Sequence, residues 1–482
     1  MLTTNRLSTQ LYQLILKSTT RNVCKIAVTV DPDLNEKLDK EELKHRHHPG
    51  IIKKGNVNIP KHISKAIERA IGDFPIKTLV KDGKVLNQYI CSRHPPPETK
   101  DIQKKIQAIS QELDEKYPMP NDPEFPEEEL ERKNQARQQK LKKTLKERII
   151  AWKPITYGAY EGLVYAIGRS AQEYAVISSI FKEIKHRNPD FKPRSFIDFG
   201  SGVGSAMWAA SDLWKESIFE YLNVDSSREM NDLSDLIIRD GNENQKPTLK
   251  NVYYRQFLPG SETKYDLVVS AFSLFEMPSA KDRKEIIMNL WKKCDGYMII
   301  IEEGSRKGSE IINEVRSTVL SSKDHELAGH VFAPCPHDLP CPRLAAEGDN
   351  TPCNFNVAHE PLGLGEKISG NITKRFSYVV LKKGPRKDAS DSWPRLVRPT
   401  LIRSKHSVCR MCTSKGTLLE IVFTKSKHGR NALRCARASD WGDRLPIEIG
   451  EEWENVKRPK RKPKDESVEM EDEAKIKTEQ QN

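Results

Sequence analysis

The chain has 482 residues, 37% of them apolar and 31% charged, and a formal net charge of +12 at pH 7. That length fits roughly two to four domains, and the positive surplus favours a polyanionic partner, nucleic acid before membrane. No apolar run reaches the roughly 18 residues that span a bilayer, so no membrane association is expected. Nine cysteines in so long a chain exclude a secreted disulfide scaffold, and their clustering late in the chain points to metal.

Residues 1–30 contain no Asp or Glu, while Arg6, Lys17, Arg21 and Lys25 supply charge and Leu7, Leu11, Leu14 and Leu16 form an apolar face. This is the profile of a mitochondrial transit peptide and predicts the matrix. Residues 31–156 read as a helical arm, with amphipathic helices over 62–71 and Thr99–Lys116 and a Pro-rich break over 118–126. A polar helix over 127–150 follows. Glu127, Glu128 and Glu129 lie in its first turn and Lys140, Lys142, Lys143 and Lys146 toward its end, an order that suits the helix dipole. It reads either as a solvated helix or as a basic strut against RNA.

From Tyr157 the pattern becomes globular, and residues 157–320 form the predicted main domain. Apolar residues from Tyr160 to Ile184 recur at helical spacing, predicting two helices before the first strand. Strands are predicted at Ser195–Phe199, 219–224, Tyr265–Ala271 and 297–302, with helical patterns between them; this alternation argues for an α/β, doubly wound parallel sheet. Residues 321–446 are predicted as a metal-binding and C-terminal module that completes the sheet. Residues 320–360 lose periodicity and fill with Pro, His and Cys, and strands return over 375–382 and 418–423. Residues 447–482, with a basic run at 457–464 and an acidic stretch after it, are expected to be disordered.

Asp198-Phe-Gly-Ser-Gly-Val-Gly204 follows a predicted strand and opens a helix. Gly200, Gly202 and Gly204 lack a Cβ, so the backbone can approach a ligand closely there, at the carboxyl end of the strands where such sheets bind ligands. The next strand runs into Asp225, where an acid accepts hydrogen bonds from ribose hydroxyls. The two acids together resemble a class I S-adenosylmethionine-dependent methyltransferase rather than a dinucleotide dehydrogenase; the alternative is a strand-turn-helix that serves packing alone. Asp198 would hold the methionine end or order the loop, and Ser270 ends the next clear strand. After that strand comes Ser270-Ala-Phe-Ser273. This is neither the Asn/Asp-Pro-Pro-aromatic turn of amino-group methyltransferases nor a turn with the nucleophilic cysteine that cytosine C5 chemistry needs. Cys294 precedes the following strand and reads as core, and no Lys-Asp-Lys-Glu set for ribose methylation is evident. The expectation is a pocket that binds S-adenosylmethionine without catalysis, the rival being an active rRNA methyltransferase.

Cys335 and Cys341 lie in Ala333-Pro-Cys-Pro-His-Asp-Leu-Pro-Cys-Pro342, Cys353 in Thr351-Pro-Cys-Asn354, and Cys409 and Cys412 in Ser407-Val-Cys-Arg-Met-Cys412. The first three each adjoin a proline, and four thiolates suit tetrahedral zinc or an iron–sulfur cluster. His330, His337 and His359 read as hydrogen-bonding residues, not ligands.

The two Pro-Cys motifs, the DFGSGVG loop, YDLVVSAFSLFEM, Glu302-Glu-Gly-Ser-Arg-Lys-Gly308 and Ala438-Ser-Asp-Trp-Gly-Asp443 together resemble the methyltransferase-like 17 family of mitoribosomal small-subunit assembly factors. The resemblance runs from about Tyr157 to Pro446. It implies a [4Fe-4S] cluster, binding to small-subunit mitochondrial rRNA and ribosomal proteins, and a monomer on the assembling subunit. It carries Cys335, Cys341 and Cys353 over as ligands, and its His-x5-Cys spacing, met by His406 and Cys412, makes Cys412 the fourth; Cys409 is an addition. The family's Glu-Pro-Gly is here Glu302-Glu303-Gly304.

Overall fold

The computed structural model describes residues 23–24, 27–52, 55–118, 126–148, 154–322, 324–346, 350–364, 370–386, 389–450 and 455–456. Two units separate, residues 31–446 and a smaller one drawn from residues 1–30 and 447–482. In the smaller unit Val28–Val30 pairs antiparallel with Ile447–Ile449, and Val23–Cys24 with Asn455–Val456. Most of the predicted transit segment and charged tail lies outside the described residues.

The larger unit begins with α1 (Pro32–Asp39), α2 (Lys61–Ile71), α3 (Ile76–Ser92), α4 (Thr99–Lys116) and α5 (Glu127–Arg148). Then comes α6 (Ala159–Arg187), a single helix of 29 residues. This corrects the expectation of two helices. Gly162 and Gly168 lie inside α6 without breaking it, because each faces a close neighbour that a side chain would strike. A Cβ on Gly168 would come within 2.5 Å of the Gly83 carbonyl oxygen, so α3 and α6 cross almost backbone to backbone.

The sheet is built from β1 (Ser195–Phe199), β2 (Glu220–Val224), β3 (Val252–Arg255), β4 (Tyr265–Ala271), β5 (Cys294–Glu303), β6 (Gly329–Ala333), β7 (Phe355–His359) and β8 (Ile372–Lys383). Helices α7 (Ser205–Trp214), α8 (Arg228–Ile238), α9 (Ala280–Lys293) and α10 (Arg306–Leu320) connect the earlier strands. The order is β3-β2-β1-β4-β5-β8-β6, with β7 beside the first half of β8. The first five strands are parallel and β8 runs antiparallel to β5 and β6. This is the strand order of the class I methyltransferase fold.

Successive residues of a strand point to opposite faces, and the two cores obey that rule. Phe196, Leu267, Val269, Ile299 and Val380 join the core beneath α6 and α7, whereas Ile197, Val268, Met298, Ile300 and Leu381 join the one beneath α9 and α10. Cys294, the first residue of β5, is buried in the second core. Strand β3 went unpredicted because it is a short edge strand with no fully buried residue. Strands β6 and β7, in the stretch that looked aperiodic, gain their structure from pairing with β8.

A second sheet holds β9 (Arg395–Leu396), β10 (Leu401–Ile402), β11 (His406–Cys412) and β12 (Leu418–Thr424), followed by α11 (Lys425–Ala438). Among the described residues no helix is long and apolar enough to cross a membrane.

Candidate cofactor and metal sites

At the carboxyl ends of β1, β2 and β4 lies a cavity of about 410 Å³ lined by Gly200, Gly202, Asp225, Phe272, Ser273, Glu276 and neighbouring residues. All three loop glycines have positive φ, which only glycine adopts freely. A Cβ on Gly200, at φ +72, would meet the Ser273 Cβ at 2.4 Å. Gly204 packs behind the loop, against Ser234, Met207 and Trp208. Asp225 braces the loop from β2, accepting from the Gly202 amide at 2.8 Å and the Ser227 amide at 3.0 Å.

Asp198 is buried beneath the loop and is not on the cavity wall; its Oδ1 has no hydrogen-bond partner. Burial, then Asp225 and Glu173, push its carboxyl well above the usual range. Ser270 is also behind the wall, with its hydroxyl 2.6 Å from that of Ser273, which does face the cavity. The turn after β4 puts Phe272 at φ +59, an uncommon backbone for a non-glycine residue. No nucleophile or base other than Glu276 lines that side, and Glu276 is ion-paired to Arg93.

Behind Phe272 is a buried ionic cluster that the sequence did not reveal. Arg169 of α6, on the cavity wall, donates through Nε to Glu173 at 2.9 Å and through Nη1 to Asn87 of α3 at 3.0 Å. Glu303, at the end of β5, lies between Arg169 and the Lys374 ammonium, which donates to it at 2.7 Å. Burial works against the charge of Glu303, but Arg169 and Lys374 outweigh it and hold its carboxyl low. Glu173 goes the other way, raised by burial. Glu302, whose side chain faces the opposite core and accepts from the Leu274 amide at 2.8 Å, is pushed up by burial to about 8.

Cys335, Cys341, Cys353 and Cys412 line one small cavity between the β6–β7 segment and β11, together with Arg343 and Arg395. Their closeness shows in their acidities. Burial first, then the Cys335, Cys353 and Cys341 thiolates, raise Cys412 well above the usual thiol range, and Cys353 is pushed to about 12 by burial and then Cys335 and Cys341. A cation among them would reverse that repulsion. Cys409 is elsewhere: three residues along a strand from Cys412, it points away, buried near Thr400 and the Ala436 carbonyl. Among the described residues no three His, Cys, Asp or Glu side chains are placed to hold a single metal ion. His337 sits beside the thiols, its Nε2 3.3 Å from the Cys412 Sγ, and is pushed down to about 4 by burial and by Arg316. The same arginine donates to the His337 carbonyl at 3.0 Å, fixing the loop between Cys335 and Cys341. The turn into Cys335 is held by Arg395, whose Nε donates to the Pro334 carbonyl at 3.0 Å.

The family model described as mitochondrial small ribosomal subunit Rsm22 matches residues 159–446. The chain belongs to the Rsm22 family. It is 36% identical over 408 residues to the human ribosome assembly protein METTL17, mitochondrial, covering 84% of this chain and 86% of that protein. It is 27% identical to the mitochondrial Rsm22-cox11 tandem protein 2 of Schizosaccharomyces pombe, over 59% of this chain and 43% of that protein. The Rsm22-family chain is thus a homologue of a mitochondrial ribosome assembly protein and has a methyltransferase fold. Among solved structures it is similar to the N-methyltransferase NodS of Bradyrhizobium japonicum with S-adenosyl-L-homocysteine, at 8% identity, 42% and 84% coverage and a TM-score of 0.27. An O-methyltransferase of Thermotoga maritima is similar at 10% identity, 49% and 69% coverage and a TM-score of 0.26. Those scores are low; strand order and family membership establish the fold of this Rsm22 member.

Arg169, Glu173, Glu303 and Lys374 were missed because they come from three distant segments and no motif joins them. The one signal available was Arg169 and Glu173 one helical turn apart in an otherwise apolar helix, where a charge pair must be satisfied internally.

Proposed function

We propose that this chain is an assembly factor of the mitochondrial small ribosomal subunit in the matrix. It binds small-subunit rRNA and ribosomal proteins as a monomer. It holds S-adenosylmethionine without transferring its methyl group, and carries a [4Fe-4S] cluster on Cys335, Cys341, Cys353 and Cys412. The observation that carries this reading is the convergence of those four thiols, from three separate stretches of chain, on one cavity. Zinc would need four ligands within about 2.3 Å of one centre, and the absence of a group set for a single ion among the described residues favours the larger cluster. The cluster would join the β6–β7 segment to β11, closing long loops that packing alone holds weakly.

The cofactor reading is supported by the glycine cradle and by the partnerless Asp198 Oδ1 beneath it. The turn at Ser270–Ser273, with Ser270 turned away and Phe272 facing the cavity, supports binding without catalysis. For RNA, the charge of +12 and the exposed Arg132, Lys142, Lys143 and Lys146 of α5 supply phosphate contacts.

The test is anaerobic purification with iron, sulfide and zinc quantified, together with rRNA crosslinking. Stoichiometric zinc without sulfide rejects the cluster. Methyl incorporation into rRNA that Gly202→Trp abolishes would establish the rival, an active rRNA methyltransferase.

A further inference from the structure

We propose that Arg169 is the anion-binding residue of the cofactor cavity and holds the α-carboxylate at the methionine end of S-adenosylmethionine. This rests on the cofactor reading above. Arg169 is 1% exposed, yet its guanidinium is on the cavity wall with Gly200, Gly202 and Phe272. Two of its nitrogens are committed, Nε to Glu173 and Nη1 to Asn87. The third, Nη2, is 2.9 Å from Glu303 Oε1 but outside hydrogen-bond geometry, and it has no hydrogen-bond partner. A buried guanidinium with an idle nitrogen beside a cavity calls for an acceptor.

The charge balance points the same way. Arg169 and Lys374 share Glu303. Glu173, the other carboxylate in reach, is shifted toward its neutral form by burial. The cluster is therefore one anion short of neutrality, and buried charges are tolerated when paired. Phe272 accommodates part of the excess, with Arg169 5.1 Å and Lys374 5.5 Å from its ring centre. S-adenosylmethionine carries one anionic group, the carboxylate; its sulfonium and ammonium are cationic and its adenosine is neutral. With the ribose near Asp225, at the end of β2, the carboxylate is the group left for Arg169.

The ligand can be changed instead of the protein, which keeps the test free of folding effects. Calorimetry on the full chain compares S-adenosylmethionine with its decarboxylated form. A charge-assisted hydrogen bond predicts a preference of about 10–100-fold for the carboxylate-bearing ligand. In Arg169→Met the two affinities should converge, and Arg169→Lys should recover part of the difference. Equal affinity of the wild type for both ligands overturns the assignment and leaves the cofactor reading standing. Failure to bind either overturns both.

Discussion

Glu183→Gln tests how the main sheet and the thiol-bearing segments are tied together. Glu183, on α6, is buried and ion-paired with Arg187 and Arg395, and it accepts from the Tyr378 hydroxyl at 2.9 Å. Arg395 continues outward to the Pro334 carbonyl beside Cys335 and, at 2.6 Å, to the Gly442 carbonyl. Burial opposes the charge of Glu183, but Arg395 and then Arg187 hold its carboxyl down at about 2, against an ordinary 4.5. That drop corresponds to roughly 3 kcal/mol. It agrees with the loss of about 3–5 kcal/mol expected when one partner of a buried ion pair is removed. Because the folded value is depressed, the contribution is fully present above pH 4.5 and disappears as the pH falls toward 2. Urea unfolding at pH 7 should therefore show the glutamine variant less stable by about 3 kcal/mol, with the gap to wild type narrowing below pH 4.5. A loss under about 1 kcal/mol at pH 7, or a gap unchanged down to pH 3, would refute the reasoning.

Further outcomes follow from the two sites. Gly200→Ala should abolish S-adenosylmethionine binding in calorimetry, since its Cβ would strike Ser273, and should cost about 1–3 kcal/mol from backbone strain. Cys341→Ser should lose the bound iron and sulfide while Cys409→Ser keeps them, measured anaerobically, because Cys409 is off the cavity wall. Glu302 has a folded value near 8 against an ordinary 4.5, so the unfolded chain ionises first and stability falls as the pH rises from about 4.5 to 8. Glu302→Gln should flatten that fall and raise the Tm at pH 8; an unchanged Tm would count against the buried acid. Labelled methyl should not enter naked small-subunit rRNA, which scintillation counting checks.

Much of the fold was legible because its signals are local. Strands β1 and β4 were predicted at their observed bounds, since short runs of apolar residues between helical patterns read as buried parallel strands. The glycine loop announced itself by composition: three residues without Cβ mark a backbone that needs positive φ and close approach. The four cysteines announced themselves by type and by adjoining prolines. What the sequence did not contain was which side each residue would take. Cys409 and Cys412 are equivalent in composition, and the pleat of β11 decides that Cys412 joins the other thiols while Cys409 is buried elsewhere. Ser270 and Ser273 are likewise both candidates until the turn after β4 brings Ser273 to the cavity and leaves Ser270 behind it. The Arg169 cluster lay furthest from view. Its members are on α6, β5 and β8, and they meet only because the close crossing of α3 and α6 and the antiparallel insertion of β8 bring distant charges into one low-dielectric space, where they must neutralise one another.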